Sequence, residues 1–323
     1  MVLRKFDGDR RPSIFFWSRD GVKWTSLGYT LHGVSPDDLL FVPAPSDAGL
    51  LLRGDWTKNV FEHSMDGGRT WARLKFKISS DGARPWVQDW QKRPGVQIAP
   101  HFNATLPGDP VALYASFHMR VPQNGGPEGF SPWRSLNAIY ASYDGGDNWA
   151  FVTDRVSSDY AVGVSPVDPR FMMGVGEKGL VQSKDGGRTW APVGPQNLFD
   201  FRFELKGRRK YLTEAGLPLS EGWLHPEKLE IAQIAISPMD QNLIMLRTNI
   251  GAILSRDGGQ TLCLLALGGD VFWPIVRILM SPYRPSEIYL STTYTLPDHP
   301  AQLLVSKDRG CTFQTLYTAR NTK

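Results

Sequence analysis

Cysteine, paired histidines, long apolar runs and blocks of like charge are all scarce in this sequence. Each scarcity removes a class of protein. Two cysteines, Cys263 and Cys311, among 323 residues cannot build a disulfide scaffold. They fall at neighbouring places in consecutive repeats, where a bridge under about 7 Å between Cα atoms is not expected, so they read as free thiols. The six histidines, His32, His63, His101, His118, His225 and His299, show no paired spacing of the kind that holds zinc or prepares a catalytic base. No metal site and no cofactor is expected. No apolar run reaches the roughly 18 residues of a membrane-spanning helix. The opening residues, Met1 to Arg10, lack the apolar centre of a secretory leader. The expectation is a protein acting in the cytoplasm or as part of a virion. The net charge of +4 is dispersed, apart from Arg10-Arg11 and Arg208-Arg209-Lys210. A solvated surface is expected there rather than a nucleic-acid face.

What the chain has in abundance is one phrase. Ser183-Lys184-Asp185-Gly186-Gly187-Arg188-Thr189-Trp190 reads Ser-x-Asp-x-Gly-x-Thr-Trp. The phrase returns intact at Ser64, Asp66, Gly68 and Trp71. With Asn148 for the threonine it returns at Ser142, Asp144, Gly146 and Trp149. Two later copies, Ser255, Asp257, Gly259 and Ser306, Asp308, Gly310, lack only the tryptophan; a sixth, around Asp20, is one residue short. Recurrence in fixed order at about 40–50 residues marks a stacked or radial repeat architecture. Asp followed by Gly-Gly is a tight-turn signal, because Asp accepts from turn amides and glycine takes positive φ freely. Strand-like residues flank every copy. Each copy therefore predicts a hairpin whose aromatic packs back under the turn.

Six such copies, running from Ser18 to Phe313, resemble the Asp-box, or bacterial neuraminidase repeat, of sialidase-like β-propellers. The resemblance implies an all-β chain, a single β-propeller of four-stranded antiparallel blades over residues 1–323. It also implies that the boxes join the two outer strands of a blade at the periphery, away from any catalytic centre.

A second landmark sharpens the repeat. A strand ending in Ser-Pro or Ala-Pro precedes five of the boxes, at Pro36, Pro100, Pro166, Pro238 and Pro282. A blade then reads inner strand, Ser-Pro turn, second strand, third strand, box, fourth strand. Six boxes against five landmarks leave the first blade short of a strand, unless residues 314–318 join it and clasp the ring. Six blades follow, or seven if an insertion hides a blade without a box. Insertions fall near 120–135 and 192–228, and these are the expected contacts with other protein subunits.

No catalytic residue is assigned. The resemblance to sialidases would require three arginines on the substrate carboxylate, the first in an early Phe-Arg-Ile-Pro-type element. The corresponding residues, Ser13 to Trp17, hold no arginine. Arg247 and Arg277 lie on expected strands, but no partner pattern completes them. Other hydrolases of this kind use a carboxylate pair across a central cleft. The candidates for such a ligand face are Asp89, Trp90, Asp159, Tyr160, Glu230, Asp270 and Trp273. The plainer account is that such loops are polar anyway and their aromatics cover the ends of the core. The expectation is a non-enzymatic structural or interaction propeller within a larger assembly, in its most concrete form a bacteriophage tail or capsid-associated protein. The alternatives are a glycan-binding or glycoside-hydrolase propeller and an intracellular assembly factor of the photosystem-assembly kind.

Overall fold

The computed structural model describes residues 2–5, 14–17, 25–29, 42–43, 51–55, 60–66, 69–75, 77–79, 99–106, 112–122, 133–156, 162–176, 178–195, 231–248, 251–265, 275–281, 284–292 and 302–318. Every regular element among them is a β-strand, and the strands form six sheets. They divide into two compact units, Met1–Asp154 and Arg155–Lys323.

The first unit holds three sheets. β1 (Val2–Lys5), β2 (Ile14–Trp17) and β3 (Thr25–Tyr29) form an antiparallel three-stranded sheet. β4 (Val42–Pro43), β5 (Leu51–Asp55), β6 (Val60–Ser64) and β7 (Ala72–Arg73) form a four-stranded one in chain order. The chain then contributes β8 (Lys77–Ile78) to the next sheet, where it lies parallel to β12 (Asn148–Thr153). The remaining strands of that sheet are β9 (Ala99–Leu106), β10 (Ala112–Pro122) and β11 (Trp133–Ser142). Two backbone bonds fasten the splice: Lys77 N–H to the Asp147 carbonyl, 2.8 Å, and Ser79 N–H to the Trp149 carbonyl, 2.7 Å.

In the second unit three sheets follow one plan. Their strands are β13 (Gly163–Val164), β14 (Met172–Val175), β15 (Leu180–Ser183) and β16 (Ala191–Pro192). Next come β17 (Ile231–Ile236), β18 (Ile244–Thr248), β19 (Gly251–Ser255) and β20 (Cys263–Leu264). Last are β21 (Ile275–Met280), β22 (Ile288–Thr292), β23 (Gln302–Ser306) and β24 (Gln314–Thr318). Each sheet is antiparallel in chain order. Alternation along β18 divides two cores. Ile244 and Leu246 join Met173, Leu180 and Ile234 on one side. Leu243 and Met245 join Ile278, Ile288 and Leu290 on the other. A middle strand buried on both faces reads as an apolar run, as Ile-Met-Leu does here.

Three of the Ser-Pro landmarks end the first strand of their sheet as expected: Ser165, Ser237 and Ser281 directly follow β13, β17 and β21. Ala99-Pro100 departs from the plan, because Pro100 lies inside β9, opposite Phe117. β9 is the edge of its sheet, and an edge strand has room for a residue without an N–H. Ser35 and Pro36 lie outside the described residues. Gln314–Thr318 also departs from expectation. It pairs with β23 as the fourth strand of its own sheet, so it does not complete the first sheet, which has three strands among the described residues. The insertion near 120–135 lengthens a hairpin: Arg120, Val121 and Pro122 pair with Ser135, Arg134 and Trp133. Of the insertion near 192–228, only residues 192–195 are described.

Candidate functional site

The recurrent Ser-x-Asp turns give the best-defined polar geometry in the chain. At Ser183, the buried hydroxyl donates to Asp185 Oδ1 at 2.8 Å and accepts from the Gly187 amide at 2.8 Å. Asp185 Oδ1 also accepts from the Thr189 amide, 2.9 Å, and Oδ2 accepts from the Thr189 hydroxyl, 2.6 Å. The same bonds recur at Ser255, Asp257, Gly259 and Thr261. They recur again at Ser306, Asp308, Gly310 and Thr312. Asp66 is bonded to Ser64 and Thr70 in the same way. At Asp144 the Asn148 side-chain amide takes the place of the threonine hydroxyl. The spacing Ser, +2, +4, +6 is thus the spacing of one closed hydrogen-bond ring.

That ring fixes the charge state. The Thr189 hydroxyl, seconded by its amide and by Ser183, holds the Asp185 carboxyl at about 2. Asp257 and Asp308 sit at about 2 for the same reason, their Thr261 and Thr312 hydroxyls leading. Asp66 is driven lower still, led by the Thr70 amide. Hydrogen bonds to the ionised form favour it. These carboxylates stay ionised and occupied, which suits turn closure rather than proton transfer.

Two further residues of the phrase have visible work. Trp149 is 1% exposed and its indole N–H donates to the Gly146 carbonyl at 2.8 Å. Trp190 does the same to Gly187 at 3.0 Å. Gly259 has φ +94°, and a Cβ there would stand 2.4 Å from Met173 Cε of the preceding sheet. Both its left-handed backbone and this close approach require glycine. Cys263 and Cys311 are free and exposed, and an Arg256 guanidinium N–H reaches the Cys311 sulfur at 3.0 Å.

None of the expected ligand-face residues can be placed. Asp89, Trp90, Asp159, Tyr160, Glu230, Asp270 and Trp273 all lie outside the described residues, as do Asp20 and Gly68. Among the described residues no group of acids, histidines and cysteines could hold a metal ion, and no helix is long and apolar enough to cross a membrane. A polar strut went unread in the sequence. The Gln233 carboxamide donates to the Ile278 carbonyl at 2.9 Å and accepts from the Ile278 amide at 3.1 Å. Its signal was a lone amide in the apolar strand Ile231–Ile236.

No protein-family model matches the chain, and no curated protein matches it. Solved structures do. A putative TolB from Agrobacterium tumefaciens aligns with 96% of this chain and 90% of its own, at 14% identity and TM-score 0.52. YCF48 from Cyanidioschyzon merolae aligns over 87% of this chain and 86% of its own, at 12% identity and TM-score 0.38. An ancestral GH74 enzyme aligns over 86% of this chain at 13% identity and TM-score 0.45. This chain spans 31% of that enzyme's length. The likeness to the TolB structure is one of β-propeller fold. At these identities it concerns fold alone, and activity has to be argued from the residues themselves.

Proposed function

We propose that this chain is a non-enzymatic interaction propeller, its recurrent turns being Asp-boxes, and that it works as a subunit of a larger assembly. The observation that carries this reading is how each turn divides its residues. Serine and aspartate are consumed inside the hydrogen-bond ring, while the residue between them is presented to solvent. In two copies that residue is large and apolar: Met65 is 58% exposed and Tyr143 60% exposed. Large exposed apolar side chains at a repeated rigid position suit contact with another protein. The bacteriophage tail or capsid is the concrete assembly in which this reading is tested first.

The test is the mass of the protein in its native source, by size-exclusion chromatography with light scattering. A complex of fixed stoichiometry far above 36.1 kDa is expected. A monomer at that mass would overturn the reading and direct attention to oligosaccharides as ligands.

A further inference from the structure

Three of the recurrent turns place a described glycine directly after the aspartate: Asp144-Gly145, Asp185-Gly186 and Asp257-Gly258. Such a bond is open to self-modification. The glycine nitrogen carries no neighbouring side chain to shield it, so it can attack the aspartate Cγ and close a five-membered succinimide. A second glycine follows in all three turns, which makes their intrinsic reactivity alike. What separates them in the folded chain is how firmly each reacting group is held.

The carboxyl groups are held in the same way. Asp144 Oδ1 accepts from the Ser142 hydroxyl at 2.8 Å and from the Asn148 main-chain amide at 2.9 Å. Asp185 and Asp257 do so from Ser183 and Thr189 and from Ser255 and Thr261. The glycine backbones match too, with φ +76° at Gly145 and +73° at Gly186 and Gly258. The attacking nitrogens differ. Gly186 N–H donates to the Arg170 carbonyl at 3.0 Å and Gly258 N–H to the Asn242 carbonyl at 2.9 Å. Gly145 N–H makes no hydrogen bond among the described residues. A Cβ at Gly145 would meet nothing within 4 Å, whereas one at Gly258 would stand 3.3 Å from Asn242 Oδ1.

The departure of Ala99-Pro100 from the repeat plan bears on this difference. Arg170 and Asn242 belong to the short turns that follow Ser165-Pro166 and Ser237-Pro238. At the same offset from Ala99-Pro100 stands Ala104, which lies within β9 and pairs with Tyr114. The residue that would repeat the acceptor is thus part of a strand.

We propose that Asp144-Gly145 is a site of spontaneous isoaspartate formation, reacting ahead of Asp185-Gly186 and Asp257-Gly258. The Gly145 nitrogen bonds to Asp144 Cγ, and its hydrogen leaves with the hydroxyl of the protonated carboxyl as one water. One water then reopens the ring, with no oxidant or cofactor. Attack at Cγ restores aspartate. Attack at the main-chain carbonyl carbon leaves the peptide running through Cγ, beside a free α-carboxylate. That isomer lengthens the backbone inside the hydrogen-bond ring and removes the acceptor shared by Ser142 and Asn148. The site does not depend on the assembly reading.

The test keeps the full chain at neutral pH, well below its melting temperature, for weeks, with the same chain in urea as the unfolded control. Tryptic peptides are read by electron-transfer mass spectrometry, which separates isoaspartate from aspartate. In urea the three aspartates should react alike. In the folded chain Asp144 should lead by several-fold to about tenfold, the factor set by one hydrogen bond that must first be broken at the other two. Asn148→Thr, which gives this turn the threonine of the others, should leave the lead intact. Hydrogen exchange checks the cause, since the Gly145 amide should exchange ahead of the Gly186 and Gly258 amides. Equal accumulation at the three aspartates, or none in the folded chain while the urea control reacts, would overturn the proposal. So would loss of the lead in Asn148→Thr, or a Gly145 amide as protected as the other two.

Discussion

The turn aspartates and the inner arginines are charged residues handled in opposite ways by one fold. Asp257 and Asp308 are exposed to water and Asp185 half-exposed, and yet all three are surrounded by donors: a serine hydroxyl, a threonine hydroxyl and a main-chain amide each. Arg247 and Arg277 are half-buried and poor in acceptors: the Arg247 Nε is buried with no hydrogen-bond partner. The difference tracks repetition. A residue present in every copy is part of the fold's own hydrogen bonding, and its chemistry is used up there. A residue found in one copy only, at a position where its equivalents are neutral, leaves its charge over for something else.

Damage should concentrate at the turns. Trp149→Ala should destabilise by about 3–5 kcal/mol, the usual range for emptying a buried aromatic site. Trp190→Ala should cost clearly less, because Trp190 is only partly buried. Equal losses, measured by denaturant unfolding, would show that burial does not separate these two copies. Ser183→Ala comes next. It leaves the buried Gly187 amide without its acceptor, at about 1–3 kcal/mol, and an unchanged midpoint in denaturant unfolding would show that this bond adds nothing to the turn.

The acid limb of stability gives a finer test. The folded carboxyls of Asp185, Asp257 and Asp308 lie below their ordinary 3.8, at about 2. Their contribution is therefore present above about pH 4 and is lost as pH falls toward 2, since protonation favours the unfolded chain. Asp257→Asn should flatten that limb, and an unchanged acid profile would deny the ring its electrostatic part. The smallest effect belongs to β24, where Leu316 and Tyr317 are 45% and 52% exposed. Leu316→Ser should stay within about 0.5 kcal/mol of the parent in thermal unfolding.

Much of this fold was legible because turn chemistry is local. Ser, Asp, Gly and Thr sit within eight residues of one another, so a sequence pattern can hold the whole ring. The strand ends at Ser142, Ser183, Ser255 and Ser306 followed directly from it. Pairing partners were less legible. Whether Gln314–Thr318 would lie against β23 or against the first sheet depends on contacts far apart in sequence, and either pairing satisfies the same alternating pattern. Pro100 misled for a similar reason, since the rule that confines proline to strand ends relaxes at an edge that only the sheet order reveals. Arg247 and Arg277 could be seen as charges in strands, whereas their missing acceptors could not. Gln233 gave a signal that is clear only beside its equivalent, Arg277.

The parallel splice of β8 onto β12 has a consequence for anyone cutting this chain into repeats. Measured along the sequence, one repeat ends after the turn that holds Ser64, Asp66 and Trp71. Measured by hydrogen bonds, Lys77 and Ser79 already belong to the following sheet. A deletion or permutation designed on the sequence period would therefore strip an outer strand from a neighbour that the designer meant to leave whole. The amides of Lys77 and Ser79 would then exchange with solvent together with the flank they had covered, an overlapping seam rather than a butt joint.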